Sequence, residues 1–403
     1  MLRTSLSLDH ALASELASLR ERGLHRRLRE IIHRDGAIVD TPDGARVDFS
    51  SNDYLGLATD PRLAAAAAEC TRSLGTGGTA SRLIAGNTAV HDALDADLAA
   101  WFGVEAALSF ATGYAANTGV IPALVTRGDA IFAEQLNHAS LIDGCRLSRA
   151  DVHVYPHGDL GALASLLATH RATYRRAMIV TDGMFSMDGD LAPLREIVAL
   201  AREHDAWTYV DDAHAMGVLG NGGRGSTELL GVTQGIDVIV GTLGKAFGSA
   251  GAFALGSHTL RDVLINRARS FVFSTAPMPM QAAAAREALR IARAEPERRV
   301  RVRAVARHLR ERLRARGLHV PGSDDAHIIP VLVGDAVRTL ALGARLEAQG
   351  FLAGAVRPPT VPDGTSRLRI TVSASHTTAQ IDALADAVAA LLPGNGTAAA
   401  LTA

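Results

Sequence analysis

Seven short apolar segments, rich in β-branched residues, constrain the fold of this 403-residue chain more than any other feature. They mostly lack the alternation of apolar and polar residues that a half-exposed strand shows, which predicts strands buried on both faces. Helical patterns lie between most of them, and this order predicts an α/β core with a largely parallel sheet. The predicted strands are residues 106–110, 129–134, 151–156, 177–182, 207–213, 237–243 and 250–256.

The segments on either side of this core predict the domain organisation. Residues 1–50 are expected to form an N-terminal helix (9–34) and a short β segment, and residues 51–280 the large domain. A smaller α+β domain is expected over 281–392, and a disordered tail over 393–403. The predicted elements of the C-terminal part are a long Ala/Arg-rich helical stretch (279–317) interrupted by Pro296, strands 327–333 and 367–373, and helices 336–349 and 378–392.

Composition excludes several classes of protein. No stretch approaches the ~18 apolar residues of a membrane-spanning helix, and the first residues lack the apolar core of a secretory signal. Two cysteines, Cys70 and Cys145, are too few for a disulfide framework or a zinc site of their own, so we expect a cytoplasmic protein without a metal. The net charge of −1 argues against the alternative of an arginine-rich nucleic-acid-binding protein.

Among the 41 basic residues, Lys245 is the only lysine. An arginine-rich genome replaces lysine wherever arginine serves, so the remaining lysine is a candidate for chemistry that needs an amine. A guanidinium stays charged, whereas a lysine amine loses its proton and forms Schiff bases.

Three segments that follow predicted strands combine to suggest a cofactor. Lys245 follows strand 237–243, and Asp211 or Asp212 and His214 lie at the end of strand 207–213. These residues converge if the strands are parallel. The segment ATGYAANTG (111–119) begins a helix after strand 106–110, which offers backbone amides to a phosphate. A lysine imine, an acid for a pyridine nitrogen and a phosphate cradle are the needs of pyridoxal phosphate (PLP).

The chain also resembles a known family, the α-oxoamine synthases, over about residues 26–376. These are PLP enzymes of the aspartate-aminotransferase-like fold, also called fold type I. The matching stretches are FSSNDYLGLATDP (49–61), ATGYAANTG, NHASLIDGCRLSRA (137–150), TDGMFSMDGDLAPL (181–194), VDDAHAMGVLGNGGRG (210–225), TLGKAFGSAGA (242–252), FSTAPMP (273–279) and AVRPPTVPDGTSRLRITVSASH (355–376).

The resemblance implies roles for individual residues. Lys245 forms the imine with the cofactor, Asp211 pairs with its ring nitrogen, His214 binds its phenolic oxygen and His138 stacks on its ring. Arg369 is the expected clamp for an amino-acid carboxylate. Further cofactor contacts are implied for Gly113, Tyr114, Ser186, Thr242, Ser274 and Thr275, and further substrate contacts for His138, Arg26, Asn52 and Thr360. Asp182 departs from the glutamate of several relatives.

The last matching stretch is most similar to the branch of the family that condenses L-alanine with pimeloyl-CoA or a pimeloyl-acyl carrier protein. The resemblance implies a homodimer in which Ser274 and Thr275 reach the partner's cofactor. Two alternatives remain open at this point. One is a relative that uses glycine or serine, and the other is a PLP aminotransferase.

Overall fold

A computed structural model describes residues 7–392. Its strands are β1 His33–Asp35, β2 Ile38–Thr41, β3 Gly44–Phe49, β4 Ala106–Phe110, β5 Ala130–Glu134, β6 Asp151–Tyr155, β7 Ala177–Asp182, β8 Trp207–Asp211, β9 Val238–Thr242, β10 Ala252–Gly256, β11 Ile328–Gly334, β12 Phe351–Val356 and β13 Ser366–Thr371. Its α-helices are α1 Leu8–Glu21, α2 Pro61–Leu74, α3 Ala89–Phe102, α4 Gly113–Leu124, α5 Ala139–Ser148, α6 Leu160–His170, α7 Leu194–Glu203, α8 Ser226–Leu229, α9 His258–Arg267, α10 Arg269–Val272, α11 Pro279–Ala294, α12 Glu297–Arg314, α13 Ala336–Ala348 and α14 Thr378–Leu391.

The predicted seven-stranded sheet is confirmed, with the strand order β4-β10-β9-β8-β7-β5-β6. Strands β9, β8, β7, β5 and β6 run parallel to one another, and β10 is antiparallel to both of its neighbours. All seven predicted strands are present, within about two residues of the predicted bounds.

Burial on both faces explains why these strands lack polar alternation. Along β5, Phe132 packs into one apolar core and Ile131 into another, and Ile179 and Val180 of β7 divide in the same way. Helices cover both faces of the sheet, so a strand residue is buried whichever face its side chain points to. The apolar runs of the sequence are therefore the consequence of a sheet enclosed between two helical layers.

A second sheet of six strands, in the order β1-β2-β3-β12-β13-β11, contains elements from both ends of the chain. The N-terminal strand β3 runs parallel to β12 and is paired with it from Val47 to Phe49. Strand β12 was not predicted from the sequence. The domain bounds at residues 50 and 280 remain predictions, and the predicted disordered tail lies outside the described residues.

The helix predicted over 9–34 is wrong beyond its first half, because α1 ends at Glu21 and Gly23 adopts a φ of +66°. A left-handed residue of this kind is typical of a helix end, and only glycine takes it without strain. In contrast, the predicted break at Pro296 is confirmed, since α11 and α12 meet there. None of the helices within residues 7–392 is long and apolar enough to cross a bilayer.

Candidate active site

The carboxyl ends of the parallel strands carry polar side chains into one region. Strands β5, β7, β8 and β9 end at Glu134, Asp182, Asp211 and Thr242. In parallel sheets, ligands bind outside this edge because the strand-to-helix loops converge there. The predicted convergence of Lys245, Asp211 and His214 is tested by the contacts at this edge.

Lys245 lies in the loop after β9, and its Nζ is 2.8 Å from Nε2 of His214. A tight turn at Gly248 shapes this loop: its φ is +58°, and a Cβ there would lie 2.4 Å from the backbone nitrogen of Ala58. Burial, aided by the charge of Arg369 and opposed by the charges of Asp211 and Asp182, lowers the pKa of the Lys245 amine to about 8. The lowered pKa increases the fraction of the amine that is neutral and nucleophilic near neutral pH.

Asp211 is held by neighbours that leave its orientation little freedom. Its Oδ2 accepts a hydrogen bond of 2.6 Å from Nδ2 of Asn117, and its Oδ1 accepts one from the backbone of Ala213. Asn117 is itself fixed by Tyr209, whose hydroxyl donates to Oδ1 at 2.7 Å. The sequence analysis did not identify Asn117, although a buried amide in an otherwise apolar helix requires partners of this kind.

His138 caps the start of α5, where its Nδ1 accepts from the backbone nitrogen of Ser140 at 3.2 Å. Its own backbone nitrogen donates to Oδ2 of Asp182 at 2.7 Å. Burial lowers the pKa of His138 and raises that of Asp182, and the nearby Asp211 charge raises the pKa of Asp182 further. The shorter acid at position 182 therefore supports the His138 backbone.

Arg369 is buried in β13 and donates from Nε to the backbone carbonyl of Ser186. One of its terminal nitrogens donates to Oδ1 of Asn52 at 3.3 Å. The structure therefore brings together three residues assigned to different contacts by the resemblance. Because a guanidinium carries more N–H groups than these two bonds use, it retains donors for a carboxylate.

Tyr54 and His327 lie in the site and were missed by the sequence analysis. The Tyr54 hydroxyl is 2.7 Å from Nδ1 of His214 and 3.0 Å from Oδ1 of Asn52. The His327 ring packs edge-on against Tyr54 with a centroid distance of 4.0 Å. Both side chains are fully buried. A tyrosine whose hydroxyl is buried needs a polar partner, but the sequence does not identify that partner.

Three other predicted cofactor residues lie around this region without bonding to Lys245: Gly113, Tyr114 and Thr242. Gly113 and Tyr114 begin α4, which Thr112 caps by accepting from the backbone of Ala115. Thr242 accepts from the backbone of Gly244 and donates to the Gly251 carbonyl, so it shapes the lysine loop. The Tyr114 hydroxyl binds Asp143.

Ser274 and Thr275 line a small cleft with Arg82 and Ala111, near the end of β4. The predicted substrate residues Arg26 and Thr360 are bonded to each other at 3.2 Å. Thr360 and Ser186 both line a cavity of about 700 Å³ beside the site, with Leu24, Leu136, Phe185, Met187 and Val361 among its apolar walls.

These residues fit pyridoxal phosphate. Lys245 offers an amine with a lowered pKa, and Asp211 offers a carboxylate held in place by two hydrogen bonds. A Cβ added at Gly113 would meet nothing within 4 Å, so there is open space beside the first turn of α4. Space in front of helix N-terminal amides suits a phosphate group.

Comparisons with known proteins agree with this geometry. The model of the family "aminotransferase class I and II" matches residues 45–388. The 8-amino-7-oxononanoate synthases of Anaeromyxobacter sp. (strain K) and Geobacter sulfurreducens are 50% and 48% identical to this chain, each over 95% of it and over 95% and 98% of their own lengths. The chain therefore belongs to the aminotransferase class I and II family and, within it, to the 8-amino-7-oxononanoate synthases.

Solved structures show the same fold. Serine palmitoyltransferase from S. paucimobilis, with a bound PLP–myriocin aldimine, is 30% identical and superposes with a TM-score of 0.90, covering 96% of this chain and 98% of that one. An 8-amino-7-oxononanoate synthase from Francisella tularensis is 26% identical, with a TM-score of 0.74, and covers 86% and 97%. Fold type I is thus confirmed, and pyridoxal 5′-phosphate is the cofactor.

Proposed function

We propose that this chain condenses L-alanine with a pimeloyl thioester to give 8-amino-7-oxononanoate, CO2 and the free thiol, a step of biotin biosynthesis. The observation that carries the proposal is the position of the only lysine: Nζ of Lys245 lies 2.8 Å from His214, at the strand ends where Asp211 is fixed. Its relatives at about 50% identity carry the name of this synthase.

The reaction of the amino acid needs three separate roles, which we assign to Lys245, Asp211 and Arg369. PLP, held by Lys245 and Asp211, would supply an electrophilic carbon for the amine of alanine and an acceptor for the electrons of the bonds at its Cα. Lys245, with a pKa of about 8, takes the Cα proton and later returns one, because an amine that titrates near the working pH serves as both base and acid. Asp211 would hold the proton of the ring nitrogen, and Arg369 would bind the alanine carboxylate.

The large cavity beside Ser186 and Thr360 suits the pimeloyl chain. Its walls are largely apolar, and the N-terminal segment closes one side of it. Arg357 fixes that segment by donating to the backbone carbonyls of Gly23 and His25 at 2.8 and 2.9 Å. Arg22 lines the same side, and Arg26, hydrogen-bonded to Thr360, adds a second cation there. The lining also carries two acids, Asp188 and Asp363, of which Asp188 is paired with Arg367. A chain of methylene groups that ends in a carboxylate fits walls of this composition.

A second candidate is a condensation that uses serine or glycine. The serine palmitoyltransferase structure superposes better than the 8-amino-7-oxononanoate synthase structure, with TM-scores of 0.90 and 0.74. Sequence identity favours alanine instead, because the chain is 50% identical to a curated 8-amino-7-oxononanoate synthase and 30% identical to the palmitoyltransferase. We therefore place alanine first.

The active protein is proposed to be a cytoplasmic homodimer in which each site receives residues from both subunits. Support comes from apolar side chains that are exposed in the single chain beside Ser274 and Thr275. Ile84 is 82% exposed and Phe273 is 72% exposed. The two segments that carry them are joined by a hydrogen bond from the Ala276 backbone to the Ala80 carbonyl. Large exposed apolar side chains in a cluster are typical of an interface.

A single assay tests the reaction. Purified protein with PLP is mixed with alanine, glycine or serine, and with pimeloyl-CoA or a pimeloyl-acyl carrier protein, and the products are identified by mass. We expect 8-amino-7-oxononanoate from alanine, with release of one thiol and one CO2 for each product. A keto acid formed without thiol release would instead indicate an aminotransferase, and product from serine alone would indicate the second candidate.

A further inference from the structure

A continuous series of hydrogen bonds joins the carboxylate clamp to the catalytic lysine. It runs from Arg369 through Asn52, Tyr54 and His214 to Lys245, with donor–acceptor distances of 3.3, 3.0, 2.7 and 2.8 Å. Tyr54 and His214 are buried, so water does not compete for these bonds. The direction of each bond follows from the chemistry of the groups at the two ends.

The Arg369 end fixes the orientation of the Asn52 amide. A guanidinium only donates hydrogen bonds, so the Asn52 atom at 3.3 Å from it must be the amide oxygen. The reversed amide would oppose N–H groups to N–H groups. The same oxygen lies 3.0 Å from the Tyr54 hydroxyl and accepts only, so the Tyr54 proton must point to Asn52.

The direction then continues to His214. A hydroxyl that donates its single proton to Asn52 has only lone pairs left for Nδ1 of His214, at 2.7 Å. Nδ1 must therefore carry a proton. Burial, followed by the charges of Lys245 and Arg369, holds the pKa of His214 well below its usual range, so the ring is neutral and has no second proton. Nε2 therefore presents a lone pair to Nζ of Lys245 at 2.8 Å.

We propose that Tyr54 is a positioning residue that fixes His214 in the tautomer with its proton on Nδ1, so that Nε2 accepts a hydrogen bond from the free amine of Lys245. In this tautomer the protonated amine has a neutral acceptor beside it. The charged groups that act on the same amine are Asp211, Asp182 and Arg369. For its catalytic meaning the inference rests on the proposed function, since the acceptor holds the ammonium that forms when Lys245 takes a proton from alanine.

Nitrogen NMR of the histidine rings tests the tautomer. The full-length chain, labelled with ¹⁵N-histidine and freed of PLP by dialysis against hydroxylamine, contains 15 histidines. The His214 signals are assigned by their loss in His214→Gln. We expect a protonated Nδ1 in the unsubstituted chain. The spectra are recorded above the Lys245 pKa of about 8, where the neutral amine can accept a hydrogen bond from Nε2. In Tyr54→Phe the Nδ1 proton loses its acceptor, and we expect the proton to move to Nε2. A proton on Nε2 in the unsubstituted chain, or an unchanged tautomer in Tyr54→Phe, would overturn the inference.

The pKa of Lys245, the only lysine, provides a second test. In a chain labelled with ¹³C-lysine, a single side-chain Cε signal reports the titration of Lys245. Because Tyr54→Phe turns an N–H group toward the amine, we expect the pKa of Lys245 to fall by about one unit or more, the scale of one hydrogen bond to a charged group. An unchanged pKa would contradict the proposal.

Two further variants separate this effect from general damage. Tyr174→Phe is the matched control, because it removes a hydroxyl that lies 3.2 Å from a histidine, His153, outside the site. It should leave the His214 tautomer and the Lys245 pKa unchanged. Asn52→Ala retains Tyr54 but frees its hydroxyl to donate to His214, so it should also move the proton to Nε2. An unchanged tautomer in a folded Asn52→Ala chain would overturn the inference. If all spectra behave as expected but no product forms from alanine, the proposed function fails and the inference stands.

Discussion

At the scale of single residues, the site depends on an amine that no other side chain of this protein supplies. Since Lys245 is the only lysine, borohydride reduction of the PLP-loaded protein should attach the cofactor to the peptide that contains TLGKAFG, as found by peptide mapping. Lys245→Ala should lose the visible absorbance of the bound cofactor, and its turnover should fall by orders of magnitude while the fold survives. A label found only at the N-terminal amine would refute this role.

The second residue-scale prediction concerns Arg369. Arg369→Lys replaces a planar fork by a single ammonium, so it should weaken alanine binding by about 1.5–3 kcal/mol, the scale of a charge-assisted hydrogen bond. Spectral titration of the PLP-loaded protein with alanine measures this. Arg171→Lys, at an arginine that binds Asp205 outside the site, serves as the control and should leave the affinity unchanged. An equally unchanged affinity in Arg369→Lys would rule out the clamp.

At the scale of elements, a half-buried charge, that of His157, joins the loops around the site. His157, after β6, lies 2.8 Å from Asp190 and 2.8 Å from Glu134 at the end of β5. The hydrogen bond to Asp190, followed in size by the one to Glu134, raises the pKa of His157 to about 10. The loop of Asp190 also carries Ser186, whose carbonyl binds Arg369. The charged ring therefore helps to hold the loop that binds Arg369, the proposed carboxylate clamp.

This charge predicts a pH-dependent contribution to stability. A group whose pKa is raised on folding binds more protons in the folded state, so its contribution is full below the unfolded value near 6.5 and is lost as the pH rises toward about 10. The difference in free energy of unfolding between the unsubstituted chain and His157→Gln, measured by urea titration, should shrink between these pH values. A difference that stays constant from pH 6.5 to 10 would show that the ring is not held as a cation.

At the scale of the whole molecule, most of the large sheet was predictable because its strands are buried on both faces and read as apolar runs. Strand β12 was missed: its pairing with β3 joins segments about 300 residues apart, and local pattern carries no information on such a partner. Lys245 could be identified from the sequence because it is the only lysine. Tyr54 could not, because its role depends on its contact with His214, which lies 160 positions away along the chain. Asn117, in helix α4, was missed because its partners Asp211 and Tyr209 lie in strand β8, more than 90 positions further along the chain.

The proposed dimer gives a prediction that only the whole assembly tests. If Lys245 of one subunit works with Ser274 and Thr275 of its partner, co-expression of Lys245→Ala with a Ser274→Ala/Thr275→Ala chain should restore activity, because one of the two sites in each heterodimer receives both intact parts. With random pairing, half of the dimers are mixed, so about one quarter of the unsubstituted activity is expected.

Lys245→Ala with Asp211→Asn is the matched control for this complementation. Lys245 and Asp211 of each site come from the same subunit, so each site of a heterodimer lacks one of them. Activity should therefore stay at the level of the two single variants. Native mass spectrometry counts the heterodimers in each preparation. If they form in both pairs and the first pair is no more active than the second, each site is built within one chain, and the shared-site dimer is wrong. If the first pair alone recovers activity, Ser274 and Thr275 act across the interface, which explains why they lie in the single chain beside Arg82 and Ala111 without a bond to Lys245.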